Sequence, residues 1–74
     1  METAFVLLNC ELGFEGNVLQ LMKAIPEVKD AYGLYGVYDI IIRLEADTRE
    51  DLTDLVNKIK QMEKIHSTLT MVVV

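Results

Sequence analysis

The run Ala4-Phe5-Val6-Leu7-Leu8-Asn9-Cys10 decides how the rest of the chain must be arranged. Successive side chains of a strand point to opposite faces, so Phe5, Val6, Leu7 and Leu8 make both faces of this strand apolar. A strand with one wet face alternates, and one that does not is covered on each side. The far end repeats the pattern, because Leu69-Thr70-Met71-Val72-Val73-Val74 reads as a last strand, again with apolar side chains on both faces. Something must therefore lie over each side of the sheet that these strands share.

Working inward, Gly13 and Gly16 punctuate a loop, and Val18, Leu19, Leu21, Met22 and Ile25 then follow helical spacing up to Pro26. The spacing predicts an amphipathic helix over 15–25. Val28 to Tyr35 reads as a strand, in which Gly33 marks a bulge or the close approach of another backbone. Ile40-Ile41-Ile42-Arg43-Leu44 is the strongest strand signal, with Ile40, Ile42 and Leu44 on one face and Ile41, Arg43 and Glu45 on the other. Asp47 or Thr48 can cap a second helix, with Glu50 or Asp51 near its positive end. Its apolar stripe is Leu52, Leu55, Val56, Ile59, Met62 and Ile65.

The order β-α-β-β-α-β predicts an α+β, ferredoxin-like sandwich: a four-stranded antiparallel sheet with two helices on one face. Two helices cover only one side. The other would be an exposed apolar patch of a kind that soluble monomers avoid, and pairing two such sheets removes it. The expectation is a homodimer formed through the sheets, with further assembly open to it.

Composition points the same way. The 74 residues make a single domain over 1–74, too small to bury much surface alone, yet 51% of them are hydrophobic. One cysteine permits neither an internal disulfide nor zinc-type spacing, so association is the expected staple. Cys10 reads as a buried, unreactive thiol in a reducing, cytoplasmic setting. The net charge of −5, with no basic cluster beyond Lys58, Lys60 and Lys64 of one helix face, argues against direct nucleic-acid binding. No apolar stretch approaches a membrane span, and the first residues lack the basic start of a signal peptide.

Little catalytic chemistry is on offer. His66 is the only histidine, has no cysteine nearby, and reads as a helix-terminal residue set against the macrodipole. Gly13-Phe14-Glu15-Gly16 lacks the lysine of a phosphate loop. Glu45, Asp47, Glu50, Asp51 and Asp54 stand where a helix start calls for carboxylates, which leaves no expected metal, cofactor or catalytic residue.

Two stretches remain. Leu34-Tyr35-Gly36-Val37-Tyr38-Asp39-Ile40 is a turn whose glycine suits positive φ and which delivers an aromatic and a carboxylate together. Ser67, Thr68 and Thr70 put hydroxyls just before the last strand. A carboxylate partners an ammonium group, while hydroxyls and free backbone N–H groups partner a carboxylate. Those are the complementary needs of a free amino acid.

Pro26-Glu27-Val28, Ala31-Tyr32, the Gly36-Val37-Tyr38-Asp39 turn before an isoleucine-rich strand, and the ending Ile65-His66-Ser67-Thr68-Leu69-Thr70-Met71-Val72-Val73 together resemble the ligand-binding domain of the Lrp/AsnC transcription regulators, also called the RAM domain. The resemblance spans essentially the whole chain. Family members usually carry a helix-turn-helix domain ahead of this module, so the chain looks like a stand-alone form without a DNA-binding domain. It departs from the family where Met62-Glu63-Lys64 replaces a common Pro-Gly turn and where Tyr35 replaces a common threonine or serine. The resemblance implies sheet-paired dimers assembling into rings or discs, with an amino acid effector bound between neighbouring dimers. Carried over by position, Gly36, Val37, Tyr38 and Asp39 would supply backbone groups and a carboxylate. Thr68 and Thr70, with Ser67, would supply polar contacts, and Tyr35 and Tyr38 would close over the ligand side chain. A second expectation is an interaction module without a ligand that joins full-length Lrp/AsnC regulators. A third is a small enzyme of the dimeric α+β barrel type, disfavoured because only His66 could serve it.

Overall fold

The computed structural model describes residues 1–74. Strand β1 (Glu2–Cys10) runs through the middle of the molecule, followed by α1 (Glu15–Lys23), β2 (Val28–Gly33), β3 (Ile40–Ala46), α2 (Arg49–Lys60) and β4 (Ile65–Val72). The strands form one antiparallel sheet in the order β2-β3-β1-β4, so the two most apolar strands lie at its centre and β2 and β4 at its edges.

Period-two alternation sorts the side chains. Ala4, Val6, Leu8 and Cys10 of β1 and Ile40, Ile42, Leu44 and Ala46 of β3 are buried on one face. Both helices lie over that face, contributing Val18 and Met22 from α1 and Leu52, Val56 and Ile59 from α2. Every fully buried residue is apolar, and all belong to this single cluster. The Thr48 hydroxyl caps α2 by accepting from the Asp51 N–H at 3.1 Å, which settles the choice between Asp47 and Thr48.

The opposite face has no helix on it. Across it, the register lines up Tyr32, Ile41, Leu7 and Leu69 in one row and Asp30, Arg43, Phe5 and Met71 in the next. Leu69 and Met71 are nearly half exposed and Tyr32 more than half.

Several boundaries differ from the sequence reading. Helix α2 stops at Lys60, so Met62 and Lys64 lie in the following turns and Ile65 opens β4 opposite Cys10. The three-residue spacing of Ile59, Met62 and Ile65 persists because tight turns, closed by Met62 N–H to Ile59 and Ile65 N–H to Met62 at 3.1 Å each, repeat a helix's spacing. β4 therefore begins four residues earlier than Leu69, with Ser67, Thr68 and Thr70 inside the strand. His66 is a strand residue, 3.9 Å from the Glu11 carboxylate rather than at a helix end. β2 ends at Gly33, and its register shift falls between Val28 and Asp30 instead of at Gly33.

Candidate functional site

A six-residue loop, Leu34 to Asp39, joins β2 to β3 and is closed by the Leu34 N–H donating to the Asp39 carbonyl at 2.8 Å. Gly36 adopts φ 151°, a backbone conformation that a Cβ disfavours. The base of the loop is stapled to the end of β1 through Asp39. Its N–H donates to the Leu8 carbonyl at 2.8 Å, and its Oδ2 accepts from the Cys10 N–H at 2.9 Å. Asp39 is thus a structural tie as well as an available charge.

Beyond the staple the loop offers unfilled donors. The N–H groups of Tyr35, Gly36, Val37 and Tyr38 have no acceptor within the chain. Tyr35 and Val37 project into solvent, while Tyr38 is half-buried. A concavity of about 580 Å³ beside the loop is lined by Glu15, Leu34, Tyr35, Gly36 and Asp39. Glu15 is the residue that sequence reasoning missed. It opens α1, where its Oε1 accepts from the Gly13 N–H at 3.0 Å, and packing of that helix brings it beside the turn. Its place two residues after a loop glycine was the available signal, though nothing local says that it faces Asp39.

Both carboxylates act on the neighbouring Cys10. Burial pushes the Cys10 thiol above its ordinary pKa, and the nearby charges of Asp39 and Glu15 push it further. No lysine or arginine lines the concavity, so it favours a cation.

The hydroxyl set lies elsewhere in the chain. Thr68 and Thr70 pair with Leu8 and Val6, which places them on the helix-covered face of β4, at the sheet edge opposite β2. Thr70 Oγ1 is buried without a hydrogen-bond partner and lines a groove of about 200 Å³ with Thr53, Asn57 and Lys60 of α2. Ser67 is on the other face, where its hydroxyl accepts from Asn9 Nδ2 at 3.2 Å. Within one chain, then, Tyr35, Gly36 and Asp39 share a cavity, and Ser67, Thr68 and Thr70 do not enter it.

Fold and loop together define a ferredoxin-like α+β domain that offers a polar, anionic turn. Residues 3–74 match the Lrp/AsnC ligand binding domain, and the chain belongs to that family. Among solved structures it is similar to the crystal structure of FFRP-DM1, at 43% identity with TM-score 0.97 and full coverage of both chains. It is also similar to hypothetical protein PHS023 from Pyrococcus horikoshii, at 43% identity with TM-score 0.94, covering all of this chain and 90% of that one. E. coli AsnC matches at 27% identity and TM-score 0.86 over 99% of this chain and 50% of its own. Among curated proteins, the transcriptional regulator FL11 of Pyrococcus furiosus is 26% identical over 95% of this chain, which spans 46% of that regulator. A homocitrate synthase of Sulfurisphaera tokodaii is 30% identical over 71 residues, and the chain spans 15% of that enzyme. The chain thus covers less than half the length of these curated relatives.

Proposed function

We propose that this chain is an effector-binding and oligomerisation module without catalytic activity of its own, which senses a free amino acid at the Gly36–Asp39 turn and works with cytoplasmic transcription regulators. The observation that carries the reading is the loop. Unfilled N–H groups at Tyr35 to Tyr38 suit a ligand carboxylate, and the Asp39 and Glu15 carboxylates beside them suit its ammonium group. The module recurs as under half of a regulator and as a small part of a synthase. A module shared by a regulator and a synthase suits a role that both can use, and sensing is such a role.

The uncovered sheet face supports a dimer. Four strands about 4.8 Å apart and roughly seven residues long give a flat area of about 20 by 23 Å, and side-chain relief brings it toward the ~800 Å² per partner of a stable interface. Because Thr68 and Thr70 lie on edge strand β4, face the helices and do not line the concavity beside the turn, a site that uses both sets would draw them from different copies, as at a contact between dimers. A ligand held there stabilises only the assembled state. The test is a screen of the amino acids by thermal shift with sedimentation velocity on the same samples. The expected result is a dimer without ligand, and a higher melting temperature with a larger particle for one or a few amino acids. A protein that melts and sediments identically with all of them has no effector of this class.

A further inference from the structure

One feature of the open sheet face is out of keeping with the rest. Amid Phe5, Leu7, Ile41, Leu69 and Met71 lies a charged cluster, in which Arg43 of β3 reaches Asp30 of β2 through Nε at 2.5 Å and Glu45 of its own strand through Nη1. All three side chains are only a quarter to two-fifths exposed even in the single chain. We infer that this cluster fixes the orientation in which a second copy of the chain lies on the sheet. The inference rests on the sheet-to-sheet dimer proposed above.

The apolar rows alone do not specify an orientation. Two sheets can pack aligned or near-orthogonal, and a face of Leu, Ile, Phe and Met buries similar surface either way. An apolar face therefore holds a partner without choosing its angle. A guanidinium has five N–H donors in a fixed fork, and the two carboxylates here take one at Nε and one at Nη1. Three donors remain for whatever covers the face. Laying an apolar row over them strands those donors, an unfavourable arrangement for a charged group. Laying one cluster on its symmetry mate brings four carboxylates to two guanidinium groups. Both are disfavoured, which leaves the orientations that offer acceptors to Arg43 and keep the clusters apart. Outside the cluster the partner's face offers neutral acceptors only at the Asn9–Ser67 pair, at Tyr32 and at Thr3, none of them in the row that Arg43 shares with Phe5. A buried polar group that selects register at no gain in affinity is the best-attested role of such a cluster.

The experiment compares the parent with Arg43→Met and with the triple variant Asp30→Asn/Arg43→Met/Glu45→Gln. These changes leave the core-facing residues of β3 intact, and circular dichroism checks the fold. Sedimentation gives the oligomeric state, and methyl NMR of Ile41, Leu7 and Leu69 counts the distinct packings. The expected result is a parent dimer with one set of methyl signals, and variant dimers of equal or greater affinity with two or more sets. Variant dimers that keep a single set matching the parent overturn the inference and leave the dimer standing, making Arg43 an intrasheet pair only. Folded variants that become monomers also overturn it, since the cluster would then supply affinity instead of orientation. A parent that sediments as a monomer removes the dimer reading and this inference with it.

Discussion

Replacing Asp39 first by asparagine and then by alanine separates the two uses of its carboxylate. Oδ2 accepts from the part-buried Cys10 N–H at 2.9 Å. A hydrogen bond to a charged acceptor contributes about 1.5–3 kcal/mol, and its loss leaves that N–H without a protein partner. For a domain of this size each kcal/mol is about 4–8 °C in Tm, so Asp39→Ala is expected to melt roughly 6–24 °C below the parent. Asparagine keeps a neutral acceptor for the same N–H, which limits the loss to about 1 kcal/mol. Its effect on an amino acid ligand is different, because the ammonium group loses the opposite charge. Asp39→Asn should therefore stay folded while the stabilisation by the best amino acid of the screen falls away. The assay is thermal melting with and without that amino acid, at one fixed protein concentration because association makes Tm depend on it. An alanine variant melting within about 2 °C of the parent would refute the staple, given the conversion above. An asparagine variant with an undiminished ligand shift would refute the ammonium contact.

The α2 cap, the turn glycine and the Cys10 thiol each respond to a single change. Thr48→Ala removes the α2 cap and is expected to destabilise by about 1 kcal/mol in denaturant titration, with Thr48→Asp close to neutral. Gly36→Ala meets no atom within 4 Å, so its effect is conformational alone and should be about 1 kcal/mol or more, without change in the m-value. The Cys10 thiol ionises less readily in the folded chain than in the unfolded one, so above its ordinary pKa of 9.0 the unfolded state binds fewer protons. This contribution to stability is complete below that pH and declines as pH rises toward the folded value. Urea midpoints measured between pH 8 and pH 10 should show the decline in the parent and a smaller one in Cys10→Ala.

The faces of the strands were legible because the information is local. Ile40, Ile42 and Leu44 alternate with Ile41, Arg43 and Glu45 whatever lies around them, and the structure buries the first set under helices. The junction of α2 and β4 was not legible, since the spacing of Ile59, Met62 and Ile65 serves a helix and a pair of tight turns equally well. Thr68 and Thr70 could be recognised as polar groups near a strand, but which face they take depends on the β1–β4 register and its shift between Asn9 and Cys10. Glu15 was hidden for a related reason. Its approach to the turn follows from the packing of α1 on the sheet, which no window of sequence around either residue contains.

The same distinction explains why the open face could be anticipated and its charged corner could not. That one side of the sheet lacks a cover follows from counting two helices against strands apolar on both sides. That Asp30 meets Arg43 depends on the β2–β3 register, where the extra residue between Val28 and Asp30 shifts the pairing. Were Lys29 paired regularly with Arg43 instead of left out of the ladder, β2 beyond it would present its other set of side chains to the open face, because the side-chain period is two. Asp30 would then point toward the helices, where every buried residue is apolar, and Arg43 would keep only the carboxylate of its own strand. One residue of register thus decides whether Arg43 meets two carboxylates or one. Deleting Lys29, the unpaired residue of that shift, would close the ladder with Val28 opposite Leu44 and Asp30 still opposite Arg43, so the ion pair is expected to survive that deletion while the local bend of β2 is lost.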